Sequence, residues 1–338
     1  MRLGLTRSAR ISGTFLLILL ALLGLAVLIS LAFGSRSIPF GEVLASLLHG
    51  VDSDNATVIT SQRLPRTLLG LAAGVALGMA GALMQGHTRN PLADPGLFGV
   101  NAGATFAVAV LTFGFSATST AATVIAALLG AATVTTAVFV LGLRGQHTNG
   151  LAMLAIIGTT AAVLLSSLTS ALILLDRQTL DVMRFWEVGS LANRNQDLML
   201  WLVPIMTFGA LLALHNSFSL NALGLGDEVA QSLGTRVRTT RVTGIVAITL
   251  LVGPVTALCG PIAFLGLVAP HAARFVTGHD QRWLVPCAGI IGGCLILVAD
   301  TVGRVIPEHG ELQVGIVLAF VGAPVLLAIT RHRRLVSL

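Results

Sequence analysis

The side chains here that could do chemistry are chiefly arginines, and the chemistry open to them is anion recognition. All 20 basic residues are Arg, and no Lys occurs anywhere. A guanidinium presents a planar fork of donors that matches a carboxylate or phosphate. Two such residues share the motif Arg63-Leu64-Pro65-Arg66, and a third closes Asp300-Thr301-Val302-Gly303-Arg304. Arg236, Arg238 and Arg241 end a polar island that runs from Leu220 to Arg241 between long apolar stretches. The missing lysine excludes a Walker A phosphate loop, so any nucleotide must be handled by another chain. The eight histidines form no H-E-x-x-H pair. The three cysteines, Cys259, Cys287 and Cys294, sit in apolar segments as small hydrophobes, with neither a disulfide framework nor metal spacing. No G-x-S-x-G elbow is present. The expectation is no catalytic residue and no metal site.

The elements that position these residues follow from composition. Of 338 residues, 55% are hydrophobic and 10% charged, with mean hydropathy +0.91, against about 25% charged in soluble domains. This is an all-α integral membrane protein, because barrel strands would alternate at period two in short segments. Roughly ten segments reach spanning length. The net charge of +6 and pI near 11.1 do not indicate nucleic acid, since the arginines are scattered at span ends rather than clustered on one face.

Arg2, Arg7 and Arg10 precede a first span at about residues 11–33, too long for a signal peptide and without a small-x-small cleavage site. The tail carries Arg331, Arg333 and Arg334. The positive-inside bias puts both termini and the island in the cytoplasm, which requires an even number of spans. Ser35 to Gln62 reads as a polar outer loop. Further spans are expected at about 67–85, up to 115, 121–143, 151–175, 198–214, 242–258, a short or broken one at 260–271, 283–299 and 314–329. Within the outer segment Asp176 to Gln196, Arg184 to Leu191 reads as a short interfacial helix anchored by Trp186. The prolines and glycines of His87 to Ala104 make a non-helical inner turn, tolerated only where protein or a cavity covers it. No linker divides the chain, so 1–338 is expected to form a single transmembrane domain.

This topology puts Arg63, Arg66 and Arg304 on the outer face, against the charge bias. Headgroup snorkelling is one explanation and an acidic partner the other. In the island, Gly226, Asp227, Glu228, Val229, Ala230, Gln231, Ser232, Leu233 and Gly234 read as a two-turn helix. Acids occupy its first turn and Gly234 supplies a left-handed stop. Taken alone, this stretch is equally a solvated interhelical loop.

The motifs together settle that choice. Arg63 to Arg66, Gly81-Ala82-Leu83-Met84-Gln85-Gly86 and Asn90-Pro91-Leu92-Ala93-Asp94-Pro95-Gly96 with Gly99-Val100 resemble the FecCD family. Its members are permease subunits of ATP-binding-cassette importers for iron-siderophores, haem and cobalamin. Trp186 to Leu191, Gly260 to His271, Asp300 to Arg304, Glu311-Leu312, Gly315 and Gly322-Ala323-Pro324 continue the match in order. The likeness covers about residues 63–330; the first span and tail are generic.

The resemblance implies the type II importer permease fold, with ten helices and a second permease subunit, identical or a paralogue. It implies two ATPase subunits that bind ATP and Mg, no cofactor on this chain, and an extracytoplasmic substrate-binding protein. The site is the cytoplasmic membrane of a bacterium, and the substrate a ferric siderophore, with haem or cobalamin as alternatives. By the same resemblance Gly226 to Gly234, within the 220–241 coupling region, docks in the ATPase. Arg63, Arg66 and Arg304 receive acidic residues of the binding protein. Asn90 and Leu92 form one cytoplasmic gate, and Thr148 and Asn149 a second, looser match. A secondary transporter is the rival from another class, and it would show ionisable residues buried within spans.

Overall fold

The computed structural model describes residues 3–49, 53–144, 150–192, 195–307 and 310–331, and among these every regular element is helical. The chain runs through α1 (Leu3–Ala32), α2 (Phe40–His49), α3 (Asp54–Val58), a π-helical turn (Ile59–Arg63), α4 (Leu64–Thr88), a 3₁₀ turn (Pro95–Phe98) and α5 (Val100–Phe115). It continues through α6 (Thr120–Arg144), α7 (Gly150–Leu175), α8 (Arg177–Trp186), α9 (Gln196–Leu223) and α10 (Asp227–Ser232). The last elements are α11 (Val237–Cys259), α12 (Leu265–Thr277), α13 (Gln281–Val305) and α14 (Val314–Arg331). Among the described residues seven helices are long and apolar enough to cross a membrane, and α2, α5 and most of α14 are shorter apolar helices.

Among the seven long spans, α4, α11 and α13 are the most buried. Small residues are what let α4 pack so closely. A Cβ at Gly78 would lie 2.1 Å from the Ala288 carbonyl oxygen, and one at Gly74 2.5 Å from that of Gly292. A Cβ at Gly81 would lie 2.1 Å from the Gly266 carbonyl oxygen. Backbone-to-backbone approach of this kind is the small-residue packing of membrane helices. It makes α4, α12 and α13 a tight central layer, with α1, α6 and α7 more open to their surroundings.

Several expectations need correction. The stretch 35–62 is largely helical rather than a loop: α2 buries Val43, and α3 begins at a Ser53 side-chain cap. The interfacial helix lies earlier than expected, at Arg177–Trp186, because Asp176 caps it through the Thr179 N–H. Trp186 is buried rather than a lipid-facing anchor. α9 continues nine residues past the expected Leu214, so that Leu220 and Leu223 belong to the buried core. The break at 260–271 is an irregular run from Gly260 to Phe264, with Phe264 left-handed at φ 66°, before α12 starts.

α1 ends, and α14 begins, on the face that carries Arg63 and Arg304, as the bonds of Arg304 to Ser30 and of Leu312 N–H to the Gly303 carbonyl demonstrate. The other ends of α1 and α14 therefore lie on the island's face, here called inner.

Candidate functional site: an outer arginine cluster and an inner island

At the outer face, a sequence break sets the geometry. The π-helical turn Ile59–Arg63 runs into α4 with Pro65 in its first turn, where a missing N–H costs nothing. Arg63 is thereby turned inward and is 6% exposed. Its Nη1 donates to the carbonyls of Leu31 and Ala32, both at 2.7 Å, and its Nη2 to that of Arg36. These acceptors belong to the end of α1 and the chain just after it, where helix carbonyls lack intrahelical partners.

Arg304, 5% exposed, uses Nη2 on the Ser30 carbonyl at 3.1 Å and on Ser30 Oγ at 3.0 Å. Its Nε lies 3.1 Å from Asp300 Oδ2, one turn back on α13. Arg66 forks onto the same carboxylate, with Nε 3.1 Å from both oxygens and Nη2 2.8 Å from Oδ1. Its Nη1 reaches Glu311 Oε2 at 2.7 Å. The three arginines and Glu311 line a cavity of about 580 Å³ that also touches Asn55, Gln62 and Gln196. Asp300 is 1% exposed, so the structure does hold an ionisable group inside a span. It is paired twice over, which is how such groups are tolerated.

On the inner face the island divides. Leu220 to Leu223 complete α9, and a turn follows in which Gly226 adopts φ 109°. α10 then occupies Asp227–Ser232, shorter than the expected Gly226 to Gly234. Gly234 does stop it, with φ 84°. Ala230 is fully buried, whereas Val229 is 45% and Leu233 63% exposed. Leu225, also 63% exposed, extends the same four-residue spacing. Sequence reasoning passed over Leu225 because it lies ahead of the helix, although that spacing could have found it. Exposed large apolar side chains on a polar rim mark a docking surface.

The base of this short helix is tied to the bundle. Asp227 Oδ1 lies 2.5 Å from Arg89 Nη2, and Oδ2 lies 2.5 Å from Arg241 Nη2. Arg89, left-handed at φ 49° just beyond α4, also donates Nε to the Leu223 carbonyl at 2.9 Å. A second knot binds the same helices deeper in. His87 Nε2 lies 2.9 Å from Asn216 Oδ1, and Asn216 Nδ2 donates to the Thr240 carbonyl and to Thr243 Oγ1, each at 2.7 Å.

Asn90 and Leu92 follow Arg89 directly and are exposed. The Asn90 Oδ1 accepts the Leu92 N–H at 3.0 Å, which shapes the turn. Farther along, burial pushes the Asp94 carboxyl above its ordinary range, opposed by the Gly96 N–H bonded to it. Thr148 and Asn149 lie outside the described residues. Among the described residues no cluster of His, Cys, Asp and Glu could hold a metal ion.

The FecCD transport family model matches residues 20–332. The chain belongs to the FecCD transport family. Among FecCD relatives, the ferric enterobactin transport system permease protein FepD of Escherichia coli is 43% identical over 97% of this chain and 96% of that one. The hemin transport system permease protein HmuU of Yersinia pestis is 35% identical over 95% of each chain. A solved inward-facing metal-chelate type ABC transporter superposes with TM-score 0.82 at 28% identity, covering 95% of this chain and 99% of that one. This FecCD chain is thus a multi-pass permease component of an ABC transport system.

Proposed function

We propose that this FecCD permease carries ferric siderophores across the cytoplasmic membrane of a bacterium, in a transporter of two permease subunits, two ATPases and an extracytoplasmic binding protein. The observation that carries the substrate class is the near full-length 43% identity to a ferric enterobactin permease. Hydrolysis belongs to the ATPases, which hold ATP and Mg; this chain binds no cofactor. The exposed Leu225, Val229 and Leu233 of the island supply the surface for an ATPase cleft. Closure of two ATPases on nucleotide then moves the inner helix ends and shifts the population between inward- and outward-facing states. Asn90 and Leu92 lie where a movable inner constriction would be needed. The outer cavity, lined by Arg63, Arg66 and Arg304, would take an acidic group of the binding protein in competition with Glu311 for Arg66.

Hemin is the second reading, favoured by the 35% identity to a hemin permease. The whole transporter, reconstituted in proteoliposomes, should be offered ferric enterobactin, ferric citrate, a ferric hydroxamate and hemin. ATP-dependent uptake of a ferric siderophore in preference to hemin is expected. Uptake of hemin alone would overturn the substrate class, and uptake driven by an ion gradient without ATP would overturn the importer.

A further inference from the structure

We infer that Asp227 is a positioning residue that ties the island to the gating turn, so that motion of α10 reaches Asn90 and Leu92 instead of dissipating in a loop. This rests on the permease reading above. A single carboxylate joins Arg89 beyond α4 and Arg241 in the first turns of α11, at 2.5 Å each. Arg89 extends the tie to the last residue of α9 through the Leu223 carbonyl. Two helix ends, those of α4 and α11, are therefore held through one side chain of a six-residue helix, and Arg89 itself adds the end of α9.

Arg89 is one residue from Asn90, and it occupies a left-handed conformation that a side chain rarely adopts. It is held there by bonds to Leu223 and Asp227. The two ion pairs are partly exposed, so their contribution to stability is small. What they define is register. A displacement of α10 that keeps both pairs must carry the end of α4 and the turn after it. The neighbouring charges Glu228, Arg236 and Arg238 are exposed and belong to neither pair.

The test measures ATP hydrolysis and substrate uptake in the same proteoliposomes, with the complete transporter. Arg89→Gln, outside the docking segment, should assemble at wild-type yield and keep hydrolysing ATP. Substrate moved per ATP should fall about 5-fold or more, the lower range of a coupling effect. Asp227→Asn should show the same fall in substrate moved per ATP hydrolysed. The double variant should be no worse than Asp227→Asn alone, because both break one linkage. Asp227→Glu should recover part of the loss.

An unchanged transport-to-hydrolysis ratio would overturn the clamp. So would a proportional loss of assembly, hydrolysis and uptake, which is what a merely structural residue predicts, or multiplying losses in the double variant. If the wild-type complex itself shows no ATP-dependent uptake, the permease reading fails and the clamp falls with it.

Discussion

Arg63 and Arg304 at the outer face are 6% and 5% exposed, with donors spent on the end of α1. Leu225, Val229 and Leu233 at the inner face are 63%, 45% and 63% exposed and stand out from the fold. Both regions break the pattern of their surroundings, one with charge on the disfavoured side and the other with apolar side chains on a polar rim. The contrast teaches that an out-of-place residue signals an interaction without saying whether the partner lies inside the chain. Arg63 and Arg304 find theirs chiefly at the end of the first helix and Arg66 finds its own in Asp300 and Glu311, so a visitor to the cavity would have to compete for it. The island has no such internal cover for its apolar side chains.

The largest effect should come from the outer cluster. Asp300→Ala removes the carboxylate shared by Arg66 and Arg304 and strands buried charge. A loss of about 3–5 kcal/mol is expected, measured as a fall in the unfolding temperature in detergent. Stability within error of wild type would mean that the cluster is not structural, and the contrast between the faces would collapse.

Next comes the frame between them. Gly78→Ala forces a methyl against the Ala288 carbonyl, 2.1 Å away. Separation of α4 from α13 should cost about 1–3 kcal/mol. An unchanged unfolding temperature would show that this contact is looser than the geometry states.

The smallest effect is electrostatic. Glu311→Gln leaves Arg66 with Asp300 alone and makes the cavity more positive. Binding-protein association should quicken at low salt, with the gain fading toward physiological salt, where screening acts over roughly 8 Å. Surface-captured transporter in nanodiscs would measure it. Slower association, or a gain independent of salt, would place docking away from Arg66.

The spans were legible in the sequence because twenty apolar residues leave little choice in a bilayer. The left-handed stop at Gly234 was legible too, since glycine is the residue that adopts it readily. α2 was not, because ten amphipathic residues fall short of a span and read as loop. The exposed apolar triplet of the island was half legible: Val229 and Leu233 are four apart, whereas Leu225 precedes the helix. Partner identity was hidden by distance along the chain. Arg66 meets Asp300 234 residues away, and Arg89 meets Asp227 138 residues away. Periodicity and composition act over a few turns and carry no record of such pairs. The same holds for Arg63, whose acceptors are backbone carbonyls that any residue provides.

The central claim is that the island is the surface an ATPase grips, and one measurement bears on it most directly. Val229→Asp combined with Leu233→Asp changes two exposed positions and should leave folding within about 0.5 kcal/mol of wild type. The account predicts that this variant accumulates and unfolds like the wild type yet no longer co-purifies with the ATPase. Co-purification at wild-type yield would contradict it.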